Sequence, residues 1–213
     1  MAINTIIFDF DGTVANTNQV VFDSWQHTYK KYRGKIHPVK EIVKTFGEPL
    51  WISMERAFPG EDISEAIETY REYQRLHFKE SITLFDGMYE LISELKKKAY
   101  NIGIVTSRTR DTTLTGLEKF NLDKYVDNIV SCDDTNKHKP DPEPVLIALK
   151  NFGISEKEAI MVGDSMFDIL CAKNAGVKSV LVDWAIAVTE EDKNGPNKPE
   201  YIIKEANDLF EII

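Results

Sequence analysis

The apolar run IIFDFDGT at residues 6–13 ends in two carboxylates, Asp9 and Asp11, two positions apart. Aspartate is depleted in strands, and an ionised carboxylate is costly to bury without a partner. In an extended chain both side chains point to the same side. Asp9 is placed to attack phosphorus and form an aspartyl-phosphate, which divides hydrolysis into two easier steps. Asp11 can protonate the leaving oxygen and then activate water. Gly12 permits a sharp exit from the strand and leaves backbone N–H groups free to hold phosphate oxygens. A second acidic pair, Asp164 and Asp168 in VGDSMFD (162–168), has the spacing of one helical turn. Hard carboxylate oxygens of this kind suit Mg²⁺.

These charges need balancing. Two like charges about 4 Å apart repel by about 4 kcal/mol even at an effective dielectric of 20. Mg²⁺ and Lys139, the first residue of KPDPEP (139–144), would supply three positive charges. Thr106 and oriented backbone N–H groups would supply the remainder as dipoles.

The elements that must position these residues are legible in the periodicity. Residues 3–10 read as a strand, and the next seventy residues read as helices at 18–33, 38–46, 49–58 and 62–80. From Leu84 onward helix and strand alternate. Helices are expected at 87–98, 110–120, 142–151 and 165–175, and strands at 101–106, 128–131, 159–163, 178–182 and 201–203, before a C-terminal helix. The fold class that follows is α/β, a Rossmann-like parallel sheet core flanked by helices. An all-helical cap (16–80) is inserted after the first strand, and the core comprises 1–15 and 81–213. DFDGT, VTS (105–107), KPDPEP and VGDSMFD each fall at or beyond a strand end, so all four meet at one crevice.

This ordered set resembles the haloacid dehalogenase-like hydrolases, a superfamily composed mostly of phosphatases, and the resemblance spans essentially the whole chain. It implies that Asp9 and Asp164 coordinate Mg²⁺ together with the main-chain carbonyl of Asp11, with Asp168 in support. It also implies that Lys139 steadies the aspartyl-phosphate and that Thr106 hydrogen-bonds a phosphoryl oxygen. Gly12, Thr13, Ser107, Arg108 and Gly47 are the expected substrate contacts, Gly47 from the cap loop FGEPL (46–50). Within the superfamily, GIVTSRTRDT, CDDTNKHKPDPEP and MVGDSMFDI look most like the branch containing phosphoglycolate phosphatases and a bacterial pyrophosphatase. Pyrophosphate would need extra cations, for which Arg108, Arg110, Arg56 and Lys44 are the candidates. A sugar phosphomutase of the β-phosphoglucomutase type shares the same catalytic set and stands as the alternative. A non-catalytic binding module is disfavoured because Asp9, Asp11, Lys139 and Asp164 are all present.

Blander readings apply elsewhere. Ser165 is the expected cap of the helix after Asp164, and Asp141 and Pro142 the cap and first residue of the helix in KPDPEP. The four histidines lack metal-ligand spacing, Trp25 and Trp51 read as core, Asp133 and Asp134 as a solvated loop, and TEEDKNG (189–195) as a surface loop.

Composition narrows the remaining classes. The chain has 213 residues, 42% hydrophobic, with a net charge of -9, so non-specific binding to nucleic acid or an anionic membrane is not expected. The expected partner is a small phosphorylated molecule, in a monomer or weak homodimer. Cys132 and Cys171 read as free thiols, and the N-terminal apolar run is too short for a signal or membrane segment. The expected location is the cytoplasm.

Overall fold

Strand β1 (Thr5–Phe8) is fully buried because it has neighbours on both edges and helices on both faces. The computed structural model describes residues 2–213. Six strands form one parallel sheet in the order β5-β4-β1-β6-β7-β8. The others are β4 (Asn101–Val105), β5 (Asn128–Val130), β6 (Ala159–Gly163), β7 (Lys178–Val182) and β8 (Tyr201–Ile203). The strand ranges expected at 159–163, 178–182 and 201–203 are reproduced to the residue.

The period-two alternation of β1 divides the core. Ile6 and Phe8 pack with Leu91, Ile92 and Leu117, whereas Ile7 packs with Val145, Leu149 and Cys171 on the opposite face. Helices α5 (Met88–Lys97) and α6 (Arg110–Lys119) supply the first set, and α7 (Glu143–Phe152) and α8 (Met166–Asn174) the second. The chain runs from β1 to β4 and β5 on one side, then returns to β6, β7 and β8 on the other. The topological switch therefore lies at β1, and the crevice opens beyond the C-terminal ends of β4, β1 and β6.

A short antiparallel ribbon joins the helical insert to this sheet. It pairs β2 (Ala15–Asn16) with β3 (Thr83–Leu84), and two residues per strand are too few to show a period. Between them lie α1 (Asn18–Arg33), α2 (Val39–Val43), α3 (Leu50–Ala57) and α4 (Ile63–Ser81). These helices enclose a core of their own, built on Trp25, Ile42, Met54, Phe58, Ala66 and Tyr70.

Several local expectations are corrected. Trp51 is 51% exposed and is not core, because it lies on the outer face of α3. TEEDKNG is not a loop: Glu190–Asn194 form α9, whose cap is Thr189 accepting from the Asp192 N–H. Four charged residues and an asparagine show no apolar period, so only the capping box betrays that helix. The C-terminal helix is a 3-10 segment, Ala206–Glu211. Helix α7 begins one residue later than expected, with Pro142 at the cap position and Asp141 accepting from the Glu143 N–H at 3.0 Å.

Candidate active site

At the crevice the chain leaves β1 directly into Asp9, β4 into Thr106 and β6 into Asp164. All three are buried. Lys139, from the loop before α7, reaches the same point. Its ammonium donates to Asp9 Oδ1 at 2.8 Å, to Asp168 Oδ1 at 2.6 Å and to the Val105 carbonyl at 3.3 Å. Burial alone would lower the Lys139 pKa, but Asp168 and Asp9 outweigh it and hold the group firmly protonated.

Asp168 has both oxygens engaged. Oδ1 accepts from Lys139, and Oδ2 accepts from the Ser165 hydroxyl at 2.5 Å and the Ser165 N–H at 3.1 Å. Ser165 returns the interaction by accepting from the Asp168 N–H, and this capping box starts α8. The expected cap role of Ser165 is observed. Asp164 contrasts with Asp168, since among the described residues no hydrogen bond supports its carboxylate. Burial first, then the nearby Asp168 and Asp9 charges, push its pKa well above the usual carboxylate range. Asp9 is pushed up to about 7, by burial against the lowering effect of Lys139, with Asp168 and Asp11 adding repulsion.

Asp11 lies in the opposite electrostatic setting. Its half-buried carboxylate is gripped by Arg108, with Nε to Oδ2 at 2.9 Å and Nη2 to Oδ1 at 2.7 Å. Burial raises its pKa, but the Arg108 charge and hydrogen bonds, aided by Thr17 and Lys139, bring it below the ordinary value. Arg108 is buried and stacks 4.2 Å from the Phe78 ring centroid, while Nη1 lies 3.4 Å from Gln74 Oε1. Two aspartates two residues apart are thus poised differently by their partners.

Asp9, Asp164 and Asp168 each offer a carboxylate oxygen within 4.8 Å of the others, a set able to hold a metal ion. The fit can be judged by charge. Four carboxylates face Lys139 and Arg108, leaving two negative charges that a divalent cation would neutralise. Asp164, with no hydrogen-bond donor among the described residues, is the carboxylate most in need of it. Gly12 makes room for that carboxylate: with φ +75, any Cβ there would overlap Asp164.

A cavity of about 410 Å³ opens over these groups, inside the range typical of small-molecule sites. Gly12, Gly47, Thr106, Ser107 and Arg108 line it, as expected, together with Asp9, Asp11, Lys139, Asp164 and Asp168. Gly47 belongs to the helical insert yet abuts the sheet domain, where a Cβ would come within 2.6 Å of Ser165 Oγ. Thr13 does not line the cavity; its hydroxyl is wholly buried and unpartnered among the described residues. Arg110, Arg56 and Lys44 are also outside it. Arg110 pairs with Asp134 at 2.8 Å, Arg56 with Glu48 and Lys44 with Glu41, so neighbouring carboxylates have already claimed these cations. None of the four histidines lines the cavity. Sequence reading missed the wall formed by Tyr70, Arg71, Gln74 and Arg75 of α4. The available signal was a glutamine at the middle of a buried stripe, Tyr70, Gln74 and Phe78 at four-residue spacing.

The chain belongs to the haloacid dehalogenase-like hydrolases, whose family model matches residues 6–182. It is 38% identical to Pyrophosphatase PpaX of Halalkalibacterium halodurans over 213 residues, covering 100% of this chain and 98% of that protein. It is 35% identical to the Bacillus velezensis protein of the same name, covering 99% and 96%. Among solved structures, a candidate phosphoglycolate phosphatase from Lactobacillus plantarum superposes with a TM-score of 0.86 at 26% identity, covering 100% of both chains. A haloacid dehalogenase-like hydrolase from Bacteroides fragilis shares the fold at a TM-score of 0.89 and 24% identity, covering 97% and 99%.

Proposed function

We propose that this hydrolase is a Mg²⁺-dependent phosphatase acting through an aspartyl-phosphate, with pyrophosphate as its substrate. The observation that carries the reaction is the Asp9–Lys139–Asp168 cluster at the floor of the cavity, with Asp11 beside it on the same loop. Full-length similarity to pyrophosphatases supports the substrate. The phosphoglycolate phosphatase reading is the competitor, favoured by the Lactobacillus plantarum fold match.

In this reading residues 16–80 act as a cap domain over a core of 1–15 and 81–213. The metal would be held by Asp9 and Asp164 with the Asp11 main-chain carbonyl, while Asp168 keeps Lys139 in place beside it. When bound, Mg²⁺ offsets the charge of the carboxylates and of the phosphoryl oxygens. Lys139 fixes the Asp9 carboxylate through Oδ1, which leaves Oδ2 as the attacking or metal-facing oxygen. Thr106, Ser107 and backbone N–H groups near Gly12 orient the phosphoryl oxygens. Asp11 must leave the grip of Arg108 to carry a proton to the leaving oxygen, and an incoming phosphate is a natural competitor for that guanidinium. Gly47, with Tyr70 and Gln74 on the buried face of α4, would exclude bulk water from the transfer.

Phosphate release with Mg²⁺ from pyrophosphate, phosphoglycolate, β-glucose 1-phosphate and an aryl phosphate tests the proposal. Pyrophosphate is expected to give a kcat/KM at least about tenfold above the others, and Asp9→Asn and EDTA to lower turnover by about 10³-fold or more. A preference for phosphoglycolate would replace the substrate and keep the mechanism. Full activity in Asp9→Asn would sink the mechanism.

A further inference from the structure

We propose that Arg71 is the specificity residue for a charged leaving group, holding the distal phosphoryl group of pyrophosphate at the α4 wall of the cavity. The choice of pyrophosphate rests on the function proposed above. The assignment of the cation itself rests on how the charges of this cavity are already matched.

Four cationic side chains line the cavity. Lys139 is committed to Asp9 and Asp168, and Arg108 to Asp11. Arg75 pairs with Glu68 at 2.5 Å, one more lining residue on the same helix. Arg71 alone makes no ion pair and no side-chain hydrogen bond among the described residues, and it is exposed to the cavity. An arginine is costly to hold in one place without a partner, and its planar fork matches a phosphate better than a lysine would.

Its placement is set by packing rather than by chance exposure. Tyr70, Gln74 and Phe78 form the buried face of α4. Gln74 donates to the Tyr70 hydroxyl at 3.0 Å and approaches Arg108 Nη1 through its carbonyl oxygen, while Phe78 lies under the Arg108 guanidinium. The helix is therefore registered on the Arg108–Asp11 pair, and Arg71, adjacent to Tyr70 and three residues before Gln74, is carried with it.

Transfer from pyrophosphate breaks the bridging P–O bond and leaves its electron pair on a departing phosphate. The departing group already carries formal negative charge and gains more as the bond breaks. An aryl phosphate sends off a group without a second phosphoryl. A free cation at the outer wall therefore favours the first substrate over the second, and an ion-paired one does not.

The test uses the full chain with Mg²⁺. Calorimetric titration in an Asp9→Asn background, where turnover is blocked, compares pyrophosphate with inorganic phosphate. Arg71→Ala is expected to weaken pyrophosphate binding at least about tenfold, and phosphate binding less than about threefold. Arg75→Ala, whose charge Glu68 already matches, is expected to change both by less than about threefold. In turnover, Arg71→Ala should lower the ratio of kcat/KM for pyrophosphate to that for aryl phosphate by the same tenfold, with partial recovery in Arg71→Lys. Equal effects on both anions, no effect on either, or an equal effect of Arg75→Ala would overturn the assignment. Should the native enzyme prefer another substrate, the function above fails while the titration still decides the role of Arg71.

Discussion

At the residue scale, the site separates two neighbouring carboxylates by what each touches. Asp9 faces a lysine in a crowd of acids, and Asp11 faces an arginine with little competition. Under the proposed function Asp11 donates a proton, which a permanent arginine partner would hinder, so the Arg108–Asp11 pair would have to open during turnover. Loss of the acid should then matter most where the leaving group needs a proton. Asp11→Asn is expected to lower kcat for an alkyl phosphate by about 10²-fold or more and for a nitrophenyl phosphate by much less. Leaving-group dependence of kcat in the variant checks this, and a uniform loss would remove Asp11 from the acid role. The candidate carboxylates Asp9 and Asp11 were legible from DFDGT, although β1 ends at Phe8 and the chain turns at Phe10 rather than staying extended between them. The Arg108 partnership was not, since it joins residues 97 positions apart.

At the element scale, the helical insert meets the sheet domain through a loop and a helix face. Gly47 has φ +79, and its α-carbon sits against Ser165 and Phe167. A side chain there would lift the loop from the start of α8. Gly34, which ends α1 with φ +67, meets nothing within 4 Å and provides the comparison. Gly47→Val is expected to raise KM across the phosphate panel by about fivefold or more, whereas Gly34→Ala costs about 1 kcal/mol of stability and leaves KM in place. Steady-state kinetics paired with denaturant unfolding separates the two. Equal KM values for both variants would show that the loop contact plays no part in substrate capture. The helices of the insert were visible from their apolar period, and FGEPL was visible as a break between two of them. Its seat on Ser165 depends on how far the ribbon of β2 and β3 folds the insert back, which no local signal encodes.

For the whole molecule, the acid cluster leads to an expected dependence on pH and, under the proposed function, on metal. Asp9 is raised to about 7, so between the ordinary carboxylate range near pH 4 and about pH 7 the folded chain holds a proton that the unfolded chain has released. Its contribution to stability is present below that window, declines as pH rises through it, and levels off above. Asp164 is raised in the same direction. Under the proposed function metal binding requires both carboxylates deprotonated, so stabilisation by Mg²⁺ would have the opposite slope. In EDTA the Tm should therefore be lower at pH 8 than at pH 5.5, and saturating Mg²⁺ should raise Tm more at pH 8. Differential scanning calorimetry at the two pH values decides it; a Mg²⁺ effect independent of pH would argue against a metal held by these carboxylates. Among the described residues no helix is long and apolar enough to cross a membrane.

Local patterns in the chain specified the strand and helix alternation, the sheet class and the four loops that carry the candidate site residues. Each of these depends on local periodicity or on spacing within a few residues, and the physics of a buried parallel strand places its C-terminal loop at the crevice. Which cations remain free follows from the folded surface. Arg110, Arg56 and Lys44 resembled site residues by proximity in the chain, yet each lies outside the cavity and is matched by a neighbouring carboxylate. Arg71 resembled a surface residue of a charged helix, yet the packing of Tyr70, Gln74 and Phe78 turns it toward the site. Pairing between distant charges is a property of the folded surface, and a linear pattern of Lys, Arg, Asp and Glu leaves it open.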